Sequence, residues 1–425
     1  MRKKDLGNLA IVALIFFNVL FWLVFPPPND GRPHFLRQWT GEIFSSSALL
    51  LMSVNIFLST RARFLEPFFG GLDQMYQSHK KSAIFAYSLI LAHFFTMSIS
   101  GGFHWSISLG KIALIGISIW VLLALAPRIP FIGGNIQLPY HVWRYTHKFI
   151  GLFFLIAVLH LFRIDSLLKT TFVTRFYVLP IVFAAVLTYI YKELLDNMLK
   201  KKYPYIVEQA RRLNGNTLEL TLKPQKEKLP YRSGQFLFIG FSRDKKLTEA
   251  HPFTISSSPK TENIKLAVKA SGDFTQYMQN HLQVGVEARV EGGYGMFDYQ
   301  AGSQQQLWMA GGIGLTPFLS WIRDLDQQSA FSIDFFYSVR GPEEILYEDE
   351  IRQTAAQNQN SRPYIICTSL EGKLTVDKII TASGPVTGKD IYICGPYPMT
   401  MALRKGFIAA GARARQIHYE EFNFR

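Results

Sequence analysis

The chain has 425 residues, of which 48% are hydrophobic and only 18% are charged. This length suits two or three domains, and the composition is too apolar for an ordinary soluble enzyme of that size. The net charge is +14, but the sequence has no basic patch interleaved with aromatic residues. This absence argues against a nucleic-acid partner. With Cys367 and Cys394 as its two cysteines, the chain is not expected to carry a disulfide framework.

The long apolar runs lie almost entirely within residues 1–200, whereas residues 201–425 have the composition of a globular protein. A membrane-spanning helix needs about 20 mainly apolar residues. We predict six spans, at about 6–25, 42–59, 82–100, 109–126, 148–162 and 176–191. The first run follows three basic residues, as in a signal peptide, but it is too long for one and PPP follows it. We therefore predict a retained helix.

Lysine and arginine are unevenly distributed around the predicted spans. The richer group lies at the N-terminus, in the 60–81 and 127–148 loops, and at 192–202. The opposite side has a smaller set: Arg32, Arg37, Lys111, Arg163, Lys169 and Arg175. Positive charge favours the cytoplasmic side. We therefore expect a multi-pass protein of the cell (inner) membrane with both termini and residues 201–425 in the cytoplasm.

Four histidines fall on the third and fifth predicted spans. His79 and His93 bracket one span and His147 and His160 the other, and each pair extends roughly 20 Å along a helix. Both helices run outward, so His79 and His147 share an inner level and His93 and His160 an outer level. Two facing histidines can supply both axial ligands of a haem, the alternative being hydrogen bonds within the bundle. Thirteen steps of about 100° leave His147 and His160 about 140° apart, so we expect either a helix distortion, with Gly151 as a candidate place, or differently rotated haems.

The KKKYP stretch at 200–204 is the natural boundary before the cytoplasmic part. The segment HPFTISSSP, 251–259, predicts a barrel strand that leads into a polar turn. Its hydroxyls and backbone amides could bind a flavin or could form a turn only. Next, VKASGDFTQYM contains Lys269 and a glycine turn before a helix start, which suits a pyrophosphate.

Two strand–turn–helix patterns follow. In LWMAGGIGLTPFLSWI, 307–322, glycines let the backbone approach a phosphate, Thr316 can cap a helix and Pro317 suits its first turn. The second pattern is DIYICGPYPMTMAL, 390–403. Between them, Ser338 and Arg340 lie just past a predicted strand. Arg340 suits the 2′-phosphate of NADPH there, although a solvated loop charge is nearly as plausible on position alone.

The order HPFT, GDFT, GGIGLTPF, CGP and a terminal EEFNFR resembles the ferredoxin–NADP reductase superfamily. Joined to six spans with two histidine pairs, the chain from about residue 40 onward resembles a bacterial member of the NADPH oxidase and ferric reductase family. This resemblance implies a multidomain fold. An all-α six-helix transmembrane di-haem domain (1–200) is followed by an antiparallel β-barrel FAD domain (201–302) and an α/β NADPH-binding domain (303–425).

The resemblance also implies the site residues. The inner haem b would be bound by His79 and His147, and the outer one by His93 and His160. The residues expected around FAD are His251, Pro252, Phe253, Thr254, Lys269, Gly272, Phe274 and Thr275. Those expected around NADPH are Gly311, Gly312, Gly314, Thr316, Pro317, Ser338, Arg340, Cys394, Gly395 and Pro396. Phe422, or alternatively Phe424, would stack on the isoalloxazine, and the candidate catalytic residues are Thr254, Cys394 and Phe422.

The function implied is electron transfer from NADPH through FAD and two haems to an acceptor outside, with dioxygen giving superoxide. The eukaryotic oxidases of the family have a further histidine one turn beyond the outer ligand, where this chain has Met97. A transmembrane ferric or cupric reductase is therefore the alternative, and donation to a partner protein is another. The short outer loops 26–41, 101–108 and 163–175 offer no evident surface for an obligate protein partner.

Overall fold

The computed structural model describes residues 3–97, 105–125, 140–326, 329–358 and 360–420. Two compact units divide the chain, Met1–Lys200 and Lys201–Arg425. Phe422 and Phe424 lie outside the described residues. The first unit is helical, and the second contains two β-sheets.

Six long helices make up most of the first unit. They are α1 (Leu6–Val24), α2 (Phe35–Ser59), α3 (Leu72–Thr96), α4 (Trp105–Leu125), α5 (Phe149–Arg163) and α6 (Phe172–Leu194). Shorter helical segments are Lys3–Asp5, Arg63–Leu65, Glu66–Phe69, Tyr140–His147, Leu167–Lys169 and Asp196–Leu199. A helix satisfies its backbone N–H and C=O groups internally, whereas lipid offers them no hydrogen-bond partners.

Five of these helices, all except α3, are long and apolar enough to cross a membrane, within the part of the chain that the structure describes. The helix α3 begins ten residues before the predicted span at 82–100, and its first half carries the polar sequence DQMYQSHKKS. This stretch lowers the hydropathy of α3. The sequence predicts six spans. The described residues contain six long helices, and five of them are long and apolar enough to cross a membrane.

The helix α2 is the centre of this unit. In the most apolar 18-residue stretch of α2, 67% of the residues are buried. The corresponding share is 11–22% in the other four apolar helices. Polar side chains join it to α1, because the Nδ2 of Asn18 donates to Ser46 and Ser47 Oγ at 2.9 Å each. The indole of Trp22 donates to Ser46 Oγ at 3.0 Å. Such hydrogen bonds between helices satisfy polar groups that lipid would leave without partners.

The second unit begins with a curled antiparallel sheet in the order β4-β3-β6-β1-β2-β5. Its strands are β1 (Tyr203–Asn214), β2 (Thr217–Pro224), β3 (Phe236–Phe241), β4 (His251–Thr254), β5 (Ile264–Lys269) and β6 (Glu287–Tyr294). A two-residue turn at 215–216 joins β1 to β2. The two edges approach each other, since Ile255 forms an antiparallel bridge with Leu266. The helix α7 (Asp273–His281) lies between β5 and β6 in the chain.

A five-stranded parallel sheet follows, in the order β11-β10-β7-β8-β9. Its strands are β7 (Gln305–Gly311), β8 (Ser332–Val339), β9 (Ser361–Cys367), β10 (Asp390–Cys394) and β11 (Ile417–Glu420). The helices are α8 (Thr316–Asp324), α9 (Glu348–Gln357), α10 (Val376–Ser383) and α11 (Tyr397–Ala409), with short turns at Gly312–Leu315, Pro342–Glu344, Thr368–Glu371 and Ala414–Gln416. In the first half of the unit, a short turn also spans Tyr299–Ala301.

Both faces of the parallel sheet are buried. Trp308 packs in one core cluster with Tyr392, and Leu307 packs in the other with Ile393. This two-sided burial explains the continuous apolar run of β7, because a parallel sheet is covered by helices on both faces. The strand order reverses between β7 and β10, and ligands of such sheets bind at the carboxyl ends of the strands at that point.

Candidate functional site

The inner pair of histidines lies together in the helical unit. His79 is on α3, and His147 is the last residue of the helix Tyr140–His147. Their ring centroids are 6.3 Å apart with an interplanar angle of 61°. A metal ion bound at about 2 Å by one nitrogen of each ring would hold the centres about 6 Å apart. The Nδ1 atoms of both rings are buried without a hydrogen-bond partner among the described residues, so the pair fits the axial ligands of a haem.

The outer pair is held by backbone carbonyl groups of neighbouring helices. The Nδ1 of His93 lies 2.8 Å from the carbonyl oxygen of Gly41, and the Nδ1 of His160 lies 2.7 Å from that of Ser106. A carbonyl oxygen only accepts, so each Nδ1 carries the hydrogen and each Nε2 has a free lone pair. Metal-binding histidines are typically oriented in this way by a second group. The outer residues therefore also fit haem ligation.

The helix that carries His147 does not run on unbroken into α5. The two helices are separated by Lys148 alone, whose backbone stays in the helical region (φ −61°, ψ −27°). The hydroxyl of Tyr189 on α6 donates to the carbonyl oxygen of Lys148 at 3.2 Å, and the ammonium of Lys148 lies 2.8 Å from Glu193. The junction at Lys148 is therefore held by α6, and the distortion expected from the histidine spacing stays a prediction.

Gly151, the place suggested from the sequence, has a different role in this region. A Cβ atom there would lie 2.0 Å from the ring of Tyr189. The glycine thus lets α5 and α6 approach closely enough for Tyr189 to reach Lys148. The sequence carries no local signal for this contact, because Tyr189 and Lys148 are 41 residues apart.

The two motifs predicted to bind FAD meet in the curled sheet. The HPFT segment forms β4, which pairs with β3 so that His251 lies opposite Ile239 and Thr254 opposite Phe236. The ring of His251 stacks on Phe274 of the GDFT segment, with centroids 3.7 Å apart and an interplanar angle of 23°. Phe253 also lies parallel to Phe274, at 6.5 Å. Pro252 is in the same strand.

The glycine turn of GDFT starts α7. Gly272 is the N-cap, and the Thr275 hydroxyl oxygen accepts from the backbone amides of Ser271 and Gly272 at 3.0 Å each. A Cβ atom on Gly272 would meet nothing within 4 Å, so the space beside the turn is open. The Lys269 ammonium lies 3.7 Å from the carboxylate of Glu344. A helix N-terminus beside a lysine suits an anionic group.

The serines after HPFT turn inward. The Ser258 hydroxyl donates to Asp324 at 2.9 Å, and the Ser256 hydroxyl donates to the Lys265 carbonyl oxygen at 3.0 Å. The Ser257 hydroxyl oxygen accepts from the amide of Lys265 at 3.0 Å and lies 2.9 Å from the Tyr231 hydroxyl. These hydroxyls, considered from the sequence as flavin ligands, are thus engaged within the protein.

The residues predicted for the nicotinamide coenzyme gather at the carboxyl ends of three adjacent strands. Gly311 ends β7, where it lies opposite Ser338 of β8, and Cys394 ends β10 opposite Ala310. Thr316 and Pro317 begin α8, and the Thr316 hydroxyl donates to the Ile313 carbonyl oxygen at 3.1 Å. Arg340 is exposed one residue after β8.

The GGIG and CGP turns touch each other through glycines. A Cβ atom on Gly314 would lie 2.4 Å from the carbonyl oxygen of Cys394, and one on Gly311 would lie 2.8 Å from Pro396. On Gly395 it would lie 3.0 Å from the Gly311 Cα. Gly312 has a φ of +54°, a backbone conformation that glycine adopts without strain. Two turns far apart in the chain thus form one narrow surface at the switch point of the sheet.

Three family models match successive parts of the chain. The ferric reductase like transmembrane component matches residues 44–158, the FAD-binding domain matches 203–309, and the oxidoreductase NAD-binding domain matches 308–405. The transmembrane match contains His79, His93 and His147, and His160 lies two residues beyond its end.

Individual relatives match the second unit. The ferredoxin reductase component of 3-ketosteroid-9-alpha-monooxygenase from Mycobacterium tuberculosis is 27% identical over 199 residues, which are 46% of this chain and 56% of that protein. The glycine betaine monooxygenase reductase subunit of Pseudomonas aeruginosa is 26% identical over 208 residues, 45% of this chain and 56% of that protein. The chain therefore spans little more than half the length of these relatives.

Among solved structures, flavohemoglobin from Malassezia yamatoensis is similar with a TM-score of 0.52 and 16% identity, over 91% of this chain and 97% of that one. At this identity the likeness concerns the fold alone. The three family matches confirm the resemblance drawn from the sequence motifs. The chain belongs to the ferric reductase and NADPH oxidase-like family, with its transmembrane component joined to a ferredoxin–NADP reductase-like module.

Proposed function

We propose that this chain is a transmembrane oxidoreductase that passes electrons from cytosolic NADPH through FAD and two b-type haems to an acceptor on the outer side. The favoured acceptor is dioxygen, which gives superoxide. The observation that carries the proposal is the approach of His79 and His147 in the helical unit of a chain that also has FAD-binding and NAD-binding domains. The ring separation of 6.3 Å at the inner level supports ligation of one iron by two histidines.

The proposed architecture has six spans, α1 to α6, and both termini in the cytoplasm. The proposed domains are residues 1–200, 201–302 and 303–425. The asymmetry of lysine and arginine around the spans supports this orientation. The bridge between Ile255 and Leu266 supports describing the curled FAD sheet as a barrel.

Bound FAD would supply the conversion of a two-electron hydride donor into single electrons, and the haems would supply one-electron transfer across the membrane. The residues of this chain hold and orient those groups. The backbone carbonyl groups of Gly41 and Ser106 fix the outer imidazoles with Nε2 available. At the inner level, the Tyr189 hydroxyl donates to the carbonyl oxygen of Lys148, the residue after His147. The proposed ligands are His79 and His147 for the inner haem, and His93 and His160 for the outer haem.

The FAD residues are proposed as the group that meets in the curled sheet. They are His251, Pro252, Phe253, Thr254, Lys269, Gly272, Phe274 and Thr275. The NADPH residues are the group at the carboxyl ends of β7, β8 and β10. They are Gly311, Gly312, Gly314, Thr316, Pro317, Ser338, Arg340, Cys394, Gly395 and Pro396. Thr254, Cys394 and Phe422 are the proposed residues beside the reacting rings, and Phe422 is proposed to cover the isoalloxazine.

A second function is favoured by Met97, the residue that directly follows α3. A Cβ atom on Gly41 would lie 2.6 Å from the Met97 sulfur, so a thioether rather than an imidazole occupies this region beside His93. A thioether is a soft ligand and a poor hydrogen-bonding group. Reduction of ferric or cupric ions at the outer side is therefore the alternative. Because the relatives named above are reductase components, transfer to a partner protein is a further alternative.

The test uses the purified full chain with FAD and NADPH. In air, we expect NADPH oxidation together with cytochrome c reduction that superoxide dismutase inhibits. A metal reductase would instead consume NADPH when an Fe(III) chelate is added in the absence of air. In air, it would form no superoxide. The two measurements together separate the alternatives. Pyridine haemochrome analysis should give two haems per chain. A chain with no haem, or with no NADPH-dependent flavin reduction, would reject the proposal.

A further inference from the structure

The helix that follows the nicotinamide motif is bound to the segment that follows the flavin motif. Three side chains of α8 make this contact. The Ser320 hydroxyl donates to the Ser257 carbonyl oxygen at 2.7 Å, and Arg323 Nη1 donates to the Ser256 carbonyl oxygen at 2.9 Å. Asp324 accepts from the Ser258 hydroxyl at 2.9 Å. The segment 256–258 is therefore held along its whole length by one face of α8.

Arg323 is the centre of the contact, because it also binds the other elements around it. Its Nε and Nη2 atoms donate to the two carboxylate oxygens of Glu350 on α9, at 2.6 and 2.8 Å. Its Nη2 lies 3.9 Å from Glu219 on β2. Its guanidinium lies over the ring of Tyr347, 5.1 Å from the centroid. A planar fork is suited to several directional contacts of this kind, which a lysine ammonium does not reproduce.

The surrounding charges are balanced inside this cluster. Glu219 accepts from Tyr347 at 2.6 Å and from Arg211 at 2.9 Å, so two carboxylates face two guanidinium groups. Burial raises the pKa of Glu219, but the hydrogen bonds from Tyr347 and Arg211 outweigh it and hold the pKa below its ordinary value. Burial and the charge of Glu219 raise the pKa of Tyr347. Glu219 therefore stays charged and Tyr347 stays protonated at neutral pH.

The cluster is close in the chain to both cofactor motifs. Ser256 is two residues after Thr254, the last residue of the flavin strand. Arg323 is in the nine-residue helix that begins at Thr316 of the nicotinamide motif. The contact therefore joins the segment that follows the flavin strand to the helix that begins in the nicotinamide motif.

We propose that Arg323 is a positioning residue that sets the distance between the nicotinamide and flavin rings without touching either. The inference rests on the proposed NADPH-to-FAD step. In that step a C–H bond of the dihydronicotinamide breaks and its hydrogen and electron pair move as hydride to the flavin, leaving NADP⁺ and the reduced flavin. Reacting atoms must approach to about 3–3.5 Å, and a misplacement of about 1 Å can cost about 100-fold in rate.

The experiment measures flavin reduction by NADPH in the full chain, without air, by stopped flow at saturating coenzyme. Arg323→Gln and Arg323→Lys should lower the limiting rate by about 10- to 100-fold. The dissociation constant of NADP⁺ and the FAD content should change little, whereas the melting temperature should fall because the hydrogen bonds of Arg323 to Glu350 are lost. The deuterium isotope effect with NADPH labelled at the transferred position should grow, because hydride transfer becomes more limiting. A residue with a merely structural role would not change this isotope effect.

Arg352→Gln is the matched control, since Arg352 forms an exposed ion pair with Glu348 at 2.9 Å on the same helix as Glu350. It should leave the rate unchanged. If the Arg323 variants lose FAD or fail to fold, Glu350→Gln and Tyr347→Phe test the same contact from the partner side and should also slow the step.

Limiting rates equal to the wild-type rate in the folded variants would overturn the proposal. A fall in rate that only follows loss of FAD or weaker NADP⁺ binding would overturn it too. Failure of the proposed function is distinguishable, because the wild-type protein itself would then show no NADPH-dependent flavin reduction, whereas dithionite would still reduce the flavin.

Discussion

Replacing Gly314 by alanine should separate the two glycine turns of the coenzyme site. The added Cβ atom would lie 2.4 Å from the Cys394 carbonyl oxygen, 2.6 Å from its carbonyl carbon and 2.8 Å from the Gly395 Cα. All three are backbone atoms, so no side chain can rotate away. Ordinary contact begins at 3.4 Å, so the turns must part by about 1 Å. A displacement of that size between bound coenzyme and flavin is expected to lower the rate about 100-fold.

The assay is stopped-flow reduction of FAD by NADPH without air, over a range of coenzyme concentrations. Gly215→Ala is the control, because a Cβ atom there would meet nothing within 4 Å. Reduction of the flavin by dithionite should be the same in both variants and in the wild-type protein. A Gly314→Ala protein that is reduced by NADPH at the wild-type rate would refute the idea that contact between the turns positions the coenzyme.

Four further predictions concern single residues. His93→Ala should reduce the haem content from two to one per chain, measured as pyridine haemochrome, and leave FAD reduction by NADPH intact. Arg340→Ala should raise the KM for NADPH by about 10- to 100-fold and hardly affect NADH, because a charge-assisted hydrogen bond worth about 1.5–3 kcal/mol is lost. Tyr189→Phe removes the hydrogen bond to Lys148 and should change the EPR signal of one low-spin haem only. Glu219→Gln should lower the melting temperature at pH 7, measured by flavin fluorescence, and the difference from wild type should shrink in acid. The pKa of Glu219 lies below the ordinary value of 4.5, so its stabilisation is present above that pH and is lost as the pH falls through the lower folded value.

These predictions fail on specific outcomes. An unchanged haem content in the His93 variant would contradict its role as a ligand, and equal KM increases for both coenzymes would contradict a 2′-phosphate contact of Arg340. Changes in both EPR signals, or in neither, would contradict a local effect of Tyr189. A stability difference for the Glu219 variant that stays constant down to pH 3 would contradict the proposed charge.

Much of the helical unit could be anticipated from apolar runs alone. Each long apolar run corresponds to a long helix, because a helix is the way for a single segment to satisfy its backbone in lipid. The spacing of the histidines also followed from the sequence, since the rise of about 1.5 Å per residue fixes how far apart two positions on one helix lie. The start of α3 at Leu72 could not be anticipated in this way, because its first turns are polar and their serines bond to other helices, Ser78 to Asn8 and Ser82 to Asn55.

The second unit shows the same division. Strand, glycine turn and helix were predicted around GGIG, because an apolar run, glycines and Thr316-Pro317 are local signals. The signal for Glu219 is weaker: a carboxylate within the buried strand TLELTLKP indicates a buried partner but does not name it. Tyr347 lies 128 residues away, and only the folded chain brings the two together.

By itself the sequence determined the apolar runs, the spacing of the histidines along each helix and the local strand, turn and helix pattern of each cofactor motif. Each of these depends on contacts or spacings within about 20 residues, where helical and strand geometry is regular. Tertiary structure alone decided the helix interruption at Lys148, the contact of Gly314 with Cys394 and the binding of Arg323 to the flavin segment. These features join residues far apart in the chain, and their formation depends on the packing of whole elements and on which buried polar groups meet.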